Sequence, residues 1–480
     1  MSIRAFGEDT NLWLHPRDSF FASEETPVFY GHASPNATGG VSYVEKKNAM
    51  KRVGRLFESR RYSASLVIGS DTYDRPTVNG NIRLRRDIAL VIRSLPEHVV
   101  QDHLIKQRRS TGEKNDDNNI SRSARHVALK MKNYYPNNIG NIEALKKIIG
   151  HRESTSDVSL SNDDASSTVD YPQTIYPKIF VHLDHTYWRD DNSMEMIWAL
   201  EYVLAFWNGV DLSYRHLQKP NVRFHIAGIA LARSPNATPF IAATKVGERF
   251  DDKLAIYKAT RFFWDVKESI PPHNIAATMT QLKMKTGYVG RAYNKGACKD
   301  GSTEKRSWGA AIIYDNGGFR GIDTAAHEVG HTLGLVHDDL TIALECDEKY
   351  GFIMQPYETR TENKSTFSSC SLAQFNKKLK AGSLKCMYEP PQKKLKNLPQ
   401  IMPGRLKNMN EQCMAAGKKN ACDNPERDPC VSLSCFGNFT VNGESVEKCG
   451  EIDQPAAPGS LCSKKDRKPG FCLQHRCVSL

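Results

Sequence analysis

Four side chains that can do metal chemistry lie together in the run Ala326-His327-Glu328-Val329-Gly330-His331-Thr332-Leu333-Gly334-Leu335-Val336-His337-Asp338. On an α-helix, residues four apart are separated by about 40° around the axis, so His327 and His331 project from one face toward a single ion. Glu328 sits one step round that helix, where a carboxylate can take a proton from water without becoming a ligand. Gly334 lets the chain leave the helix through a left-handed residue, and His337 can then close a third coordination position. The fourth position stays open for water, as a catalytic Zn2+ site requires. A bare His-Glu-x-x-His run also occurs as ordinary surface histidines on an amphipathic helix. Three histidines, the glutamate and the glycine at this spacing form a far more specific set. A structural zinc is disfavoured, because such sites are closed by four protein ligands with cysteine prominent, and no cysteine lies in this run.

Positioning these groups takes a framework, and the sequence pattern predicts an α/β domain over residues 174–390. Its expected elements are a strand over 175–183, an amphipathic helix over 194–217, a strand over 222–232, a helix over 252–264, and strands near 275–282 and 310–314. Residues 1–125 carry short β-prone runs, such as 63–68 and 88–92, and read as a small β-rich domain without a catalytic constellation. Residues 126–173 read as a polar linker, rich in Ser and Asp from 151 to 170, and 391–407 as a second linker rich in Pro and Lys. The remainder, 408–480, reads as a loop-rich module stapled by disulfides.

All twelve cysteines lie between Cys298 and Cys477, and eight of them from Cys413 onward. A tail so rich in cysteine cannot bury enough apolar surface to fold on packing alone, which points to disulfides and an oxidising compartment. Cys298, Cys346, Cys370 and Cys386 are expected to pair among themselves, apart from the eight tail cysteines; four cysteines allow three connectivities. Five Asn-x-Ser/Thr sequons, at Asn36, Asn119, Asn236, Asn363 and Asn438, agree with an extracellular setting. The net charge of +12 is spread without aromatic interleaving or a nucleic-acid motif, so no nucleic-acid partner is expected. Glycosaminoglycan or matrix contact through a basic tail stays open. No stretch reaches the roughly 18 apolar residues of a membrane span, so no membrane anchor is expected. Residues 1–40 hold no signal-peptide core either, which suggests an incomplete N-terminus for a secreted chain.

At the histidine run the sequence resembles the metzincins, and Asp338 directly after the third histidine points to their adamalysin (reprolysin) branch. Tyr176-Pro177-Lys178-Ile179-Phe180-Val181 is similar to that family's first catalytic strand, and Gly321-Ile322-Asp323-Thr324-Ala325-Ala326 to its lead into the zinc helix. Tyr350-Gly351-Phe352-Ile353-Met354-Gln355-Pro356 resembles its Met-turn, and Phe367-Ser368-Ser369-Cys370-Ser371 the segment beyond. Leu473-Gln474-His475-Arg476-Cys477-Val478 is similar to the cysteine-rich region of thrombospondin-type members, and insect venom metalloproteinases are similar too. The resemblance implies Met354 as an apolar floor under the zinc and pairs Cys298 with Cys386 and Cys346 with Cys370. It also implies a substrate strand running antiparallel to an edge strand, expected at 310–314, and a specificity pocket shaped by Pro356 and Tyr357. Lys178 stands where many relatives carry an acidic calcium ligand, so that site is not carried over.

The chemistry expected is hydrolysis of internal peptide bonds in extracellular protein substrates, with Glu328 as the base and Asp338 supporting the geometry of the site. Basic clusters at 106–109 and 122–125 flank a polar run and predict a removable propeptide over residues 1–125. The rival is a cell-surface or matrix binding protein acting through its tail on a vestigial protease scaffold, which the intact Glu328 argues against.

Overall fold

The structure is a computed structural model. It describes residues 2–94 with short interruptions, 126–132, and 172–479 apart from 188–192, 219, 340–345, 358–360, 392–400, 425–426, 442 and 464–468. Both basic clusters, Asn119 and the Ser/Asp-rich stretch lie outside the described residues.

A mixed α/β unit carries the histidines. Its seven-stranded sheet uses β1 (Val28–Ala33), β2 (Val41–Glu45), β3 (Lys178–Leu183), β4 (His225–Ala232), β5 (Ile275–Thr280), β6 (Gly290–Ala292) and β7 (Ala310–Tyr314). The order across the sheet is β6-β7-β5-β3-β4-β1-β2, with only the two outermost strands antiparallel to their neighbours. Near-continuous apolar runs such as Ile275–Thr280, buried throughout, suit parallel strands covered on both faces. Alternation divides them between two cores. Ile179, Val181 and Leu183 face the larger core with α1 (Ser193–Tyr214), whereas Phe180, Ala276 and Ile312 face α2 (Asp252–Asp265). Asp251 caps α2 by accepting from the Leu254 amide at 3.0 Å.

Four sequence expectations change here. α1 is not amphipathic: residues 200–211 are all buried, Glu201, Asn208 and Asp211 included. The reason is enclosure, since the sheet covers one side, a short helix at Ala49–Val53 shares its core, and Asn208 Nδ2 donates to the Ile401 carbonyl at 2.9 Å. The end of the expected Pro/Lys linker is therefore docked, and Pro403–Leu406 forms a helical turn. The β-rich N-terminal region also does not stop at the boundary of the α/β unit. Its β1–β2 hairpin extends that unit's sheet, with β1 parallel to β4, while Arg55–Ser59, Ala64–Ser70, Pro76–Arg85 and Ile88–Ser94 form an antiparallel sheet. His126–Lys132, expected as linker, pairs with Ile88–Ser94 in that sheet.

The C-terminal region holds more regular structure than a loop-rich module. It has the helix Met409–Ala415, a hairpin of β8 (Ser434–Val441) and β9 (Glu444–Glu451), and a second hairpin of β10 (Pro469–Leu473) and β11 (Arg476–Ser479). Six disulfides join Cys298 to Cys386, Cys346 to Cys370, Cys413 to Cys435, Cys422 to Cys449, Cys430 to Cys472 and Cys462 to Cys477. The tail is not basic: from residue 408 onward nine Lys and Arg are balanced by nine Asp and Glu, which removes the charge argument for glycosaminoglycan binding.

Candidate active site

The histidine helix, α3 (Gly321–Thr332), is held at its start by a carboxylate that the sequence reading missed. Asp315, fully buried just after β7, accepts from Gly317 N (2.9 Å), Gly321 N (2.8 Å), Tyr187 Oη (2.9 Å) and Tyr202 Oη (2.6 Å). It meets the free amides of the first turn and their positive dipole end from outside the helix, in place of an adjacent cap residue. Phe319 takes a left-handed conformation (φ +70°), stacks on Tyr202 at 4.4 Å and donates its amide to the Tyr202 hydroxyl. An acidic residue directly after an apolar strand was the available signal.

α3 ends as the spacing predicts, with Gly334 left-handed at φ +97° and its amide donating to His331 O. The chain then turns back so that the Nε2 atom of His337 lies 3.2 Å from that of His327 and 3.1 Å from that of His331. His327 Nδ1 faces the Ile353 carbonyl at 2.7 Å and His331 Nδ1 the Leu335 carbonyl at 2.9 Å. A carbonyl only accepts, so both Nδ1 atoms carry the proton and both Nε2 atoms present lone pairs. Burial lowers all three imidazole pKa values, that of His331 to about 4, which keeps the rings neutral. These two lone pairs lie within 3.2 Å of the His337 Nε2, close enough for all three nitrogens to hold one cation. A set of three neutral imidazoles without thiolates suits Zn2+ with an open position. Among the described residues the other metal-sized cluster, Cys430, Cys462 and Cys472, is consumed by disulfides.

Beneath the imidazoles, Met354 is fully buried against Gly330, where an added Cβ would meet its sulfur at 2.5 Å. Gly330 thus lets the Met-turn approach between the two helical histidines. Asp338, also buried, donates its amide to Met354 O at 2.9 Å and accepts from Ser368 Oγ (2.5 Å) and Ser371 Oγ (3.0 Å). It therefore ties the His337 segment both to the Met-turn and to the start of α4 (Ser369–Lys380). Burial raises its pKa, opposed by the two serines and by His337.

Glu328 is 5% exposed and its Oε2 has no hydrogen-bond partner, although it lines the cleft with the three histidines. Burial pushes its carboxyl up to about 8, with Arg291 pulling the other way. A neighbouring divalent charge would favour the carboxylate. The cleft, about 200 Å³, is walled on one side by Tyr288–Ala292 and on the other by Ile353, Gln355, Pro356, Tyr357 and Lys364. The edge strand beside it is β6, not Ala310–Tyr314, which lies between β5 and β6. The sequence hid β6 because it is short and follows the polar run Lys283–Tyr288. An added Cβ at Gly290 in β6 would meet Thr324 Cγ2 at 2.6 Å and Glu328 Cγ at 2.7 Å, so the strand lies directly against the glutamate. Arg291 pairs with the buried Asp252 at 2.5 Å, fixing β6 to the start of α2.

Of the sequons, Asn36, Asn236 and Asn438 are exposed, whereas the Asn363 amide is engaged by the Tyr350 carbonyl at 3.0 Å. No helix among the described residues is long and apolar enough to cross a membrane.

A helix presenting two imidazoles, a third from the following turn, a buried carboxyl and a cleft beside the edge strand of a sheet together define a metallopeptidase. Comparison with known proteins agrees. Residues 200–338 match the family described as Metallo-peptidase family M12B Reprolysin-like. The chain is 33% identical to "A disintegrin and metalloproteinase with thrombospondin motifs like" of Bombyx mori, over 64% of this chain and 45% of that protein. It is 30% identical to "A disintegrin and metalloproteinase with thrombospondin motifs 5" of Bos taurus, over 32% and 72% respectively. With Venom metalloproteinase 3 of Eulophus pennicornis the identity is 28%, over 44% and 53%. The chain belongs to the reprolysin-like M12B metallopeptidases. It spans about half the length of the first relatives it matches.

Proposed function

We propose that the chain is a secreted, zinc-dependent endopeptidase that cuts internal bonds of extracellular proteins and is made as a zymogen. The observation that carries the catalytic part is the unpartnered, buried Glu328 Oε2 beside three converging imidazoles. His327, His331 and His337 would hold Zn2+, which when bound supplies the charge that polarises a scissile carbonyl and acidifies water. Glu328 then takes the proton from the attacking water and delivers it to the leaving amine. The outer edge of β6 offers unpaired backbone groups to an extended substrate, and Pro356 and Tyr357 bound the pocket for the side chain beyond the cut. Asp338 and Met354 keep the third histidine and the helix in place.

Six disulfides favour an oxidising compartment, in line with the venom metalloproteinases among the relatives. Latency would come from the N-terminal region, whose covalent link to the catalytic unit is cut at 106–109 or 122–125; holding no cysteine, it must inhibit through contacts other than a thiolate. The test is a quenched peptide blocked at both ends: endopeptidase activity cleaves it, and an intact peptide after incubation with zinc-loaded, processed chain would refute the proposal.

A further inference from the structure

The approach to α3 is bonded along its length to the C-terminal module and to Lys407, which directly precedes it. Asn316 Nδ2 donates to Gln454 Oε1 at 2.8 Å, Gln454 Nε2 to Gly318 O at 3.1 Å, Lys407 Nζ to Gly317 O at 2.7 Å, and Arg320 Nε to Asp453 O at 3.0 Å. Gly318 passes so close to the module that an added Cβ would meet Ala415 Cβ at 2.8 Å.

One contact reaches past this approach onto the catalytic helix itself. The β10–β11 hairpin pairs Leu473 with Arg476, so its turn is the two residues Gln474 and His475, both left-handed (φ +48° and +55°). Asn and Gly normally supply such a turn, since a Cβ crowds the backbone at positive φ. Here the turn aims His475 Nε2 at Asp323 Oδ1, 3.0 Å away, with the two side chains only 8% and 13% exposed. Asp323 lies one helical turn before His327, on the same face, and lines the cleft with His327, Glu328 and Lys364. Burial alone would raise its carboxyl pKa, but the facing His475 and Lys364 outweigh it and the net shift is downward. The costly turn is accounted for by the side chain it presents.

We infer that the C-terminal module is a positioning element of the active site, and that His475 sets the placement of α3 by holding Asp323. Neither residue is a catalytic residue; they act through the helix that carries His327 and Glu328. The inference rests on reading α3 as the catalytic helix, and the experiment separates the two.

The discriminating variant is His475→Gly, which relaxes a left-handed turn while deleting the imidazole. In the metal-free full chain it is expected to speed amide exchange across Gly321–Thr332 by about tenfold. In the zinc-loaded chain it lowers kcat on a blocked peptide by about tenfold with KM within about twofold, since a shifted base costs turnover more than binding. His475→Gln, which keeps an N–H donor, recovers part of both, and adding Asp323→Ala to His475→Gly costs nothing further. Unchanged exchange and turnover in His475→Gly, or additive losses in the double variant, would overturn the inference. A wild-type chain that cleaves no peptide sinks the catalytic reading alone, and the exchange measurement still decides this one.

Discussion

Replacing Gly290 by alanine probes the contact between the edge strand and the glutamate most sharply. Its φ is not positive, so the backbone accepts an L side chain, and the whole effect comes from the added methyl. That methyl would lie 2.6 Å from Thr324 Cγ2 and 2.7 Å from Glu328 Cγ, against the 3.4 Å at which ordinary contact begins. Strand and helix must therefore part by about 0.8 Å to clear Thr324, and Glu328 must shift with the helix or rotate out of its position. Misplacing a catalytic group by about 1 Å costs on the order of 10²-fold, so kcat/KM should fall between about 10- and 100-fold. Overpacking at this one site should cost about 1–3 kcal/mol of stability, enough to lower the melting temperature without unfolding the chain. Peptide hydrolysis is measured beside thermal melting and zinc content, so loss of fold or metal is separated from loss of placement. Activity within about twofold of wild type, at full zinc content, would refute the packing of β6 against the base.

Other consequences follow from single contacts. His337→Ala should weaken zinc binding as well as turnover, because two imidazoles cannot hold the ion's geometry, and competition with a chromogenic chelator reads this directly. His182 and His216, away from the cleft, have their pKa values lowered by burial to about 4, against about 6.5 for an unfolded histidine. A depressed folded pKa gives stability that is complete above the unfolded value and lost as pH falls through the folded one, so the denaturant midpoint should drop between about pH 6.5 and 4. His182→Asn should flatten that slope; an unaltered slope would reject the assignment. Because β1 is hydrogen-bonded to β4 and buries Val28, with Met50 and Val53 nearby in the same core, a cut placed within residues 110–119 should leave the N-terminal fragment bound. Gel filtration without denaturant checks this, and free elution of the fragment would count against the hairpin as part of the sheet.

The histidine helix was legible in sequence because its pattern is local: histidines four apart and a glycine exit are properties of one short segment, and the structure brings the three imidazoles together after a left-handed Gly334. The long apolar strands were legible for the same reason. What stayed hidden depends on distant partners. Asp315 reads as an ordinary loop residue until Tyr187 and Tyr202 from elsewhere in the chain meet it. Edge and interior strands look alike in sequence, so Ala310–Tyr314 took the role that belongs to Gly290–Ala292. α1 read as amphipathic because Glu201 and Asp211 suggest a wet face, yet Asp211 is satisfied inside by Arg215 and the Phe224 amide. The hairpin at Val28–Glu45 gave no sign of its partner, because β4 lies far along the chain.

The most direct test of the account sets zinc content against turnover in wild type and Glu328→Ala, both stripped by chelator and then titrated with Zn2+. Both chains should take up one ion each, wild-type hydrolysis of a blocked peptide should rise in proportion to occupancy, and Glu328→Ala should stay at least about 10²-fold lower at saturation. Hydrolysis that survives metal removal, or a fully loaded Glu328→Ala chain that turns over like wild type, would contradict it.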